Sequence, residues 1–128
     1  MNVFDQTDLV NEVKKIVVDN HITHTVFSAR PKAKDQGESF VVVNLASGID
    51  DLAAYGDTDI SVDLFVKDVA NIPNTAKLSW MYQRLMAVMP AEIGRYMISR
   101  TPMVLPDVSD DYGYTARIVN FQVIIKHA

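Results

Sequence analysis

Two histidines three residues apart, His21 and His24, are the first side chains in this chain with metal-binding character. Three apart on a helix they share a face, but a zinc site needs a third protein ligand and none stands nearby in sequence. Structural or surface histidines are the expected reading, and His127 has no evident partner. Asp107, Ser109 and Asp111 open like a calcium loop. The glycine such a loop needs at its sixth position is Tyr112 here, and the bidentate glutamate at its twelfth is Ile118. A solvated turn is expected instead. The adjacent carboxylates Asp50–Asp51 and Asp110–Asp111 sit in polar stretches, without the burial that general acid catalysis needs. There is no G-x-S-x-G elbow and no Gly-rich phosphate loop. The expectation is a protein without catalytic residues, metal or cofactor.

A different pattern stands out in residues 57–67, DTDISVDLFVK. Ile60, Val62, Leu64 and Val66 alternate with Asp57, Asp59, Ser61, Asp63 and Lys67. A period of two predicts a strand with one face in the core and one turned to water. Phe65 is the one apolar residue on the polar side. Asp57, Asp59 and Asp63 thus line one edge with no basic residue between them. Such a stripe is either a solvated surface or a surface that repels anions.

Composition narrows the choice. A chain of 128 residues, 48% hydrophobic and 22% charged, is expected to form one domain, 1–128, with a substantial core. The net charge of −4 argues against a nucleic-acid-binding surface, which needs clustered Lys and Arg. The chain has no cysteine, which removes disulfides and thiolate chemistry and fits a reducing compartment. The acidic N-terminal stretch MNVFDQTDLVNEV lacks an apolar h-region and predicts no signal peptide. Apolar runs such as Phe40–Val43 are far below the ~20 residues needed to span a bilayer.

The elements that must position these residues follow from periodicity. Leu9, Val10, Val13, Ile16 and Val17 form one helical stripe, predicting a helix from about Thr7 to Asn20 with Thr7 as its N-cap. A short strand is expected over His24–Ala29, a polar loop over Arg30–Glu38, and over Ser39–Ala46 a strand apolar on both faces, hence central. After the alternating strand, Asn74 caps a second helix ending at Pro90, with Leu78, Met81, Tyr82, Leu85 and Met89 on one face. Gly94–Val104 reads as an edge strand because Pro102 cannot donate to a ladder. DVSDDYG reads as a turn-rich loop, and Tyr114–His127 as the closing strand. The order α-β-β-β-α-β-β predicts an α+β fold: one antiparallel sheet of about five strands with two helices packed on one face.

In this order and pattern the chain resembles the tail-terminator and tail-completion (head-tail joining, neck) proteins of long-tailed phages and prophages. The likeness rests on the helix LVNEVKKIVVDN, the strand SFVVVN, the strand DISVDLFVKD leading almost directly into the helix NTAKLSWMYQRLMAVM, and the closing strand RIVNFQVIIK. The resemblance implies a structural protein that self-associates into a ring, typically six-fold, capping the tail tube and joining it to the head. It implies tail-tube and head-connector proteins as partners, DNA passing through without specific binding, and no membrane. It also implies assembly in the host bacterial cytoplasm before residence in the virion tail.

Two features are candidates for contacts between subunits. Trp80, the only tryptophan, falls on the polar side of the second helix with Gln83, Arg84 and Ala87. Exposed Trp is enriched at interface hot spots. Arg84 lies one turn on, placed to stack over the indole, and Ala87 leaves room for a partner's side chain. The alternative is that the loop Pro102–Tyr114 folds over Trp80 within the same subunit. The second feature is the loop with Arg30, Lys32 and Lys34 before Asp35 and Glu38. It reads either as a head-to-tail contact in a ring or as a solvated hairpin tip. Within a ring, Asp57, Asp59 and Asp63 would face the lumen, where carboxylates repel the phosphates of passing DNA. The other function classes are a monomeric or dimeric α+β module for a small ligand or peptide, and a small hydrolase using the acidic pairs.

Overall fold

Alternation along residues 57–67 holds in three dimensions: Ile60, Val62, Leu64 and Val66 are buried on one face of a long strand. That strand belongs to a computed structural model, which describes residues 5–29, 37–46, 50–51, 55–99, 102–110 and 112–126. In chain order the elements are α1 (Gln6–Asp19), β1 (Val26–Phe27), β2 (Ser39–Leu45), β3 (Asp50–Asp51), β4 (Tyr55–Lys67) and α2 (Thr75–Ala87). They continue with β5 (Ala91–Ile93), β6 (Tyr96–Ile98), β7 (Met103–Val104), β8 (Val108–Ser109) and β9 (Tyr114–Lys126).

The nine strands of the described residues form one sheet, ordered β1-β2-β4-β9-β6-β5, with β3 on β4 and both β7 and β8 on β9. The α+β class and the two helices on one sheet face are as expected, but the sheet is mixed and larger than five antiparallel strands. Its parallel pair is β1 with β2. The region expected as a single edge strand over Gly94–Val104 is instead β6 and β7, preceded by β5. Gly94, at φ +56, sits in the turn that folds β5 onto β6. β6, β7 and β8 then follow one another along the same edge of β9. The stretch read as a turn-rich loop therefore contains a strand, β8.

The core lies between the helices and one sheet face. Leu9, Val10, Val13 and Val17 of α1 and Leu78, Met81 and Leu85 of α2 pack against Val41, Val43, Ile60, Val62, Leu64, Val119, Phe121 and Val123. α1 begins one residue earlier than expected. Its N-cap is Asp5, whose carboxylate accepts from the Thr7 N–H at 2.9 Å, so Thr7 lies inside the first turn. Asn74 caps α2 as expected, accepting from the Lys77 N–H at 3.2 Å.

Two polar contacts fix the helices to the rest. The Arg84 guanidinium donates to the Asn20 carbonyl at 2.8 Å, so a cation on α2 satisfies the C-terminal end of α1. The Tyr96 hydroxyl donates to Asp8 at 2.5 Å and ties the β5–β6 hairpin to the first turn of α1. Burial, then the Asp8 carboxylate, pushes the Tyr96 phenol above its ordinary range. Tyr96→Phe is expected to lower unfolding free energy by about 1–2 kcal/mol, because a charge-assisted bond is lost while the ring still packs. Denaturant titration checks this, and an unchanged midpoint would show that the bond contributes nothing net.

Candidate functional site

The strand pairing that builds the core also builds a second surface. Residues directly opposite on paired strands share a face. On the face away from the helices, β4 presents Asp57, Asp59, Ser61, Asp63 and Phe65. Their partners on β9 are Ile124, Gln122, Asn120, Ile118 and Ala116. Beyond β9, Met97 stands opposite Ile124, Met103 opposite Asn120 and Val108 opposite Ala116. The Leu105 N–H donates to the Ile118 carbonyl in the same ladder. This face is therefore divided along its length. The β4 side carries carboxylates, and the far side of β9 carries an apolar strip in which Met103 is 60% and Val108 48% exposed.

One end of the face is closed by aromatic packing. The Phe40 ring stacks on Phe65 at 4.5 Å and meets Phe27 and Tyr114 edge-on. Phe65, the odd apolar residue in the acidic stripe, is thus part of a second core with Phe40, Val42, Tyr114 and Ala116. The Tyr114 hydroxyl donates to the Gly37 carbonyl at 2.6 Å.

The three carboxylates are not equivalent. Asp57 accepts a long bond from Gln122 at 3.5 Å and Asp59 stands opposite Gln122, both partly exposed. Asp63 lies between Val42 and Ile118. Desolvation there raises its carboxyl above the usual value, and a hydrogen bond donated by the Ser61 hydroxyl partly offsets this.

Trp80 lies on the helix side of the molecule and is 42% exposed. Lys77 Nζ stands 4.2 Å, and the Arg84 guanidinium carbon 4.9 Å, from its ring centroid. With His21, Ile22, His24, Glu38 and Ser39, Trp80 and Lys77 line an open groove of about 310 Å³. The strands of segment 102–110 pair with the edge of β9. Trp80, Arg84 and Glu38 are therefore brought to one region, Ala87 is exposed further along α2, and the acidic stripe occupies the opposite sheet face. Arg30, Lys32, Lys34 and Asp35 lie outside the described residues.

The calcium-loop reading of Asp107 does not hold. Its carboxylate accepts two bonds from Arg117, at 2.9 and 3.0 Å, which raise the guanidinium pKa further. The pair straps the chain between β7 and β8 to β9. Among the described residues no group of three His, Asp or Glu side chains is placed to hold a metal, and no helix is long and apolar enough to cross a membrane. The apolar strip on β6, β7 and β8 was not visible from the sequence, where Met103, Leu105 and Val108 look like isolated residues among turn formers. Only the pairing with β9 aligns them.

The sequence matches no protein-family model and no curated protein. Among solved structures the fold is similar to a chain in the virion of a native gene transfer agent particle. The TM-score is 0.53 at 11% identity, over 95% of this chain and 92% of that one. At that identity the likeness concerns the fold.

Because folding raises the Asp63 pKa, ionised Asp63 costs the folded state free energy. The cost is full above the raised value and disappears below the unfolded value near 3.8. Asp63→Asn is expected to raise the melting temperature at pH 7 by about 1–4 °C. The gain should fade as pH falls through 3.8. Thermal melts across pH 3–8 check this, and a gain independent of pH would assign the effect to packing instead of charge.

Proposed function

We propose that this chain is a structural virion protein of the tail-terminator kind. It forms a ring that caps a tail tube, connects it to the head and leaves a channel for DNA. The observation that carries the reading is the fold likeness to a virion chain across nearly the whole of both molecules. The order and pattern of LVNEVKKIVVDN, SFVVVN, DISVDLFVKD and RIVNFQVIIK support it independently. The exposed Trp80 between two cations supplies the kind of anchor an assembly contact uses.

In this reading the protein has no catalytic role. Its partners are further copies of itself, tail-tube and head-connector proteins, and it works first in the host cytoplasm and then in the virion tail. Asp57 and Asp59 look into the channel, where carboxylates repel phosphate and give no counterion-release gain, so DNA slides without sticking. A small-ligand module has less behind it. The groove between α1 and β2, edged by Val10, Asn11, Val43 and Leu45, is about 300 Å³, at the lower end for ligand sites, and among the described residues no charged side chain lines it.

At high protein concentration, or on tail tubes, light scattering and electron microscopy are expected to show closed rings. A monomer under both conditions would refute the proposal. Trp80→Ala should weaken assembly while costing the monomer under about 1 kcal/mol, since the indole is not enclosed. A large loss of monomer stability with assembly intact would instead make Trp80 a fold residue. Asp57→Lys combined with Asp59→Lys should leave the fold and tails intact but slow DNA passage, giving poorly infectious particles. Normal ejection by such particles would remove the channel assignment.

A further inference from the structure

The Trp80 groove, polar but for the indole, and the apolar strip beyond β9 are two surfaces of different character, and one chain cannot bring them together. The groove opens on the helix side, at β1 and the start of β2. Met103, Leu105 and Val108 lie on the opposite sheet face, beyond β9. From β2 to β8 the sheet crosses β4 and β9, three strand spacings of about 4.8 Å each, about 14 Å. The strip of one chain is thus out of reach of its own groove, both laterally and by face.

The strip resembles a docking segment more than a solvated edge. Met103, Leu105, Val108 and Tyr112 are all exposed, giving on the order of a few hundred Å² of apolar surface in one line, the scale that marks interaction sites. Short edge strands of this kind also offer backbone groups for pairing. Asp63 borders the strip on the β4 side, and Asp110 stands at its end, its carboxylate holding the Tyr112 and Tyr114 N–H groups at 2.8 and 3.0 Å. The groove has the opposite charge character. Lys77 and Arg84 flank the indole and His21 and His24 stand at the rim, with Glu38 the one carboxylate among the described lining residues.

We infer that the strip Met103–Asp110 of one copy docks in the Trp80 groove of a second copy, its apolar side chains on the indole and Asp110 toward Lys77. The contact joins unlike patches, so it is head-to-tail, and repetition closes a ring when the rotation allows. The inference rests on the ring reading above and names the surfaces that make the ring. It also leaves the acidic half of the sheet face open, because the neighbour covers only the apolar half.

The absence of cysteine makes the test clean. Lys77→Cys chains and Val108→Cys chains are prepared separately, mixed at high concentration and oxidised with copper phenanthroline. Both changes are at surface positions away from the main core. The expected result is a disulfide-linked dimer in the mixture, at least tenfold more abundant than in either single-variant sample. A second mixture, of Lys77→Cys with Asp59→Cys chains, should give no such excess. Cross-linking of Lys77→Cys chains with one another would mean a two-fold contact and overturn the head-to-tail arrangement. Equal cross-linking in both mixtures would mean random collision and overturn it too. Light scattering of the unmodified chain separates the two failures. Rings without the Lys77–Val108 cross-link refute this interface alone, whereas monomer without it, both free and on tail tubes, refutes the ring reading as well.

Discussion

The structure depends on one long antiparallel pairing. Thirteen residues of β4 oppose thirteen of β9 without a break, from Tyr55 with Lys126 to Lys67 with Tyr114. A shift of β4 by one residue against β9 would turn its faces over, putting Asp57, Asp59 and Asp63 into the core and Ile60, Val62 and Leu64 into water. The register is therefore held by the hydrophobic effect acting on every second residue. Everything else is laid against this ribbon: β2 on one side, β6, β7 and β8 in series on the other, and both helices on the apolar face.

Charged groups then lock the pieces that the core alone leaves loose. Arg84 closes the end of α1 from a neighbouring helix. Arg117 holds Asp107 with two bonds and keeps the chain between β7 and β8 against β9. Tyr96 and Asp8 bind the hairpin to the first turn of α1. The first and third join segments far apart in sequence, and each of the three uses a charged group bonded at hydrogen-bond distance, where such contacts contribute most. Asp63 is the counterexample. Its charge sits between aliphatic neighbours and opposes folding.

The same ribbon explains why the molecule has unlike surfaces. The face away from the helices divides into two halves of different character, carboxylate on β4 and apolar on the strands beyond β9. The helix side supplies an aromatic and cationic surface around Trp80. The likeness to a virion chain, at 11% identity, concerns this fold and not the use of these surfaces.

Much of this was legible in the residues. The alternation in DTDISVDLFVK placed the acidic stripe and the buried face, because a strand has only two sides. The helical stripes of α1 and α2, the double-sided apolar character of SFVVVN and the Asn74 cap follow equally from local periodicity, which also places Trp80 on the polar side of its helix but does not decide whether a loop covers it. What the sequence could not decide was anything that depends on which strand lies beside which. Short strands such as β7 and β8 have no period long enough to read, and they exist as strands only because β9 offers its edge. The apolar strip, the pairing of Asp107 with Arg117 and the desolvation of Asp63 between Val42 and Ile118 all arise from that neighbourhood. A side chain's type sets what it can do. Its partner across the sheet, supplied by residues distant in sequence, sets what it does.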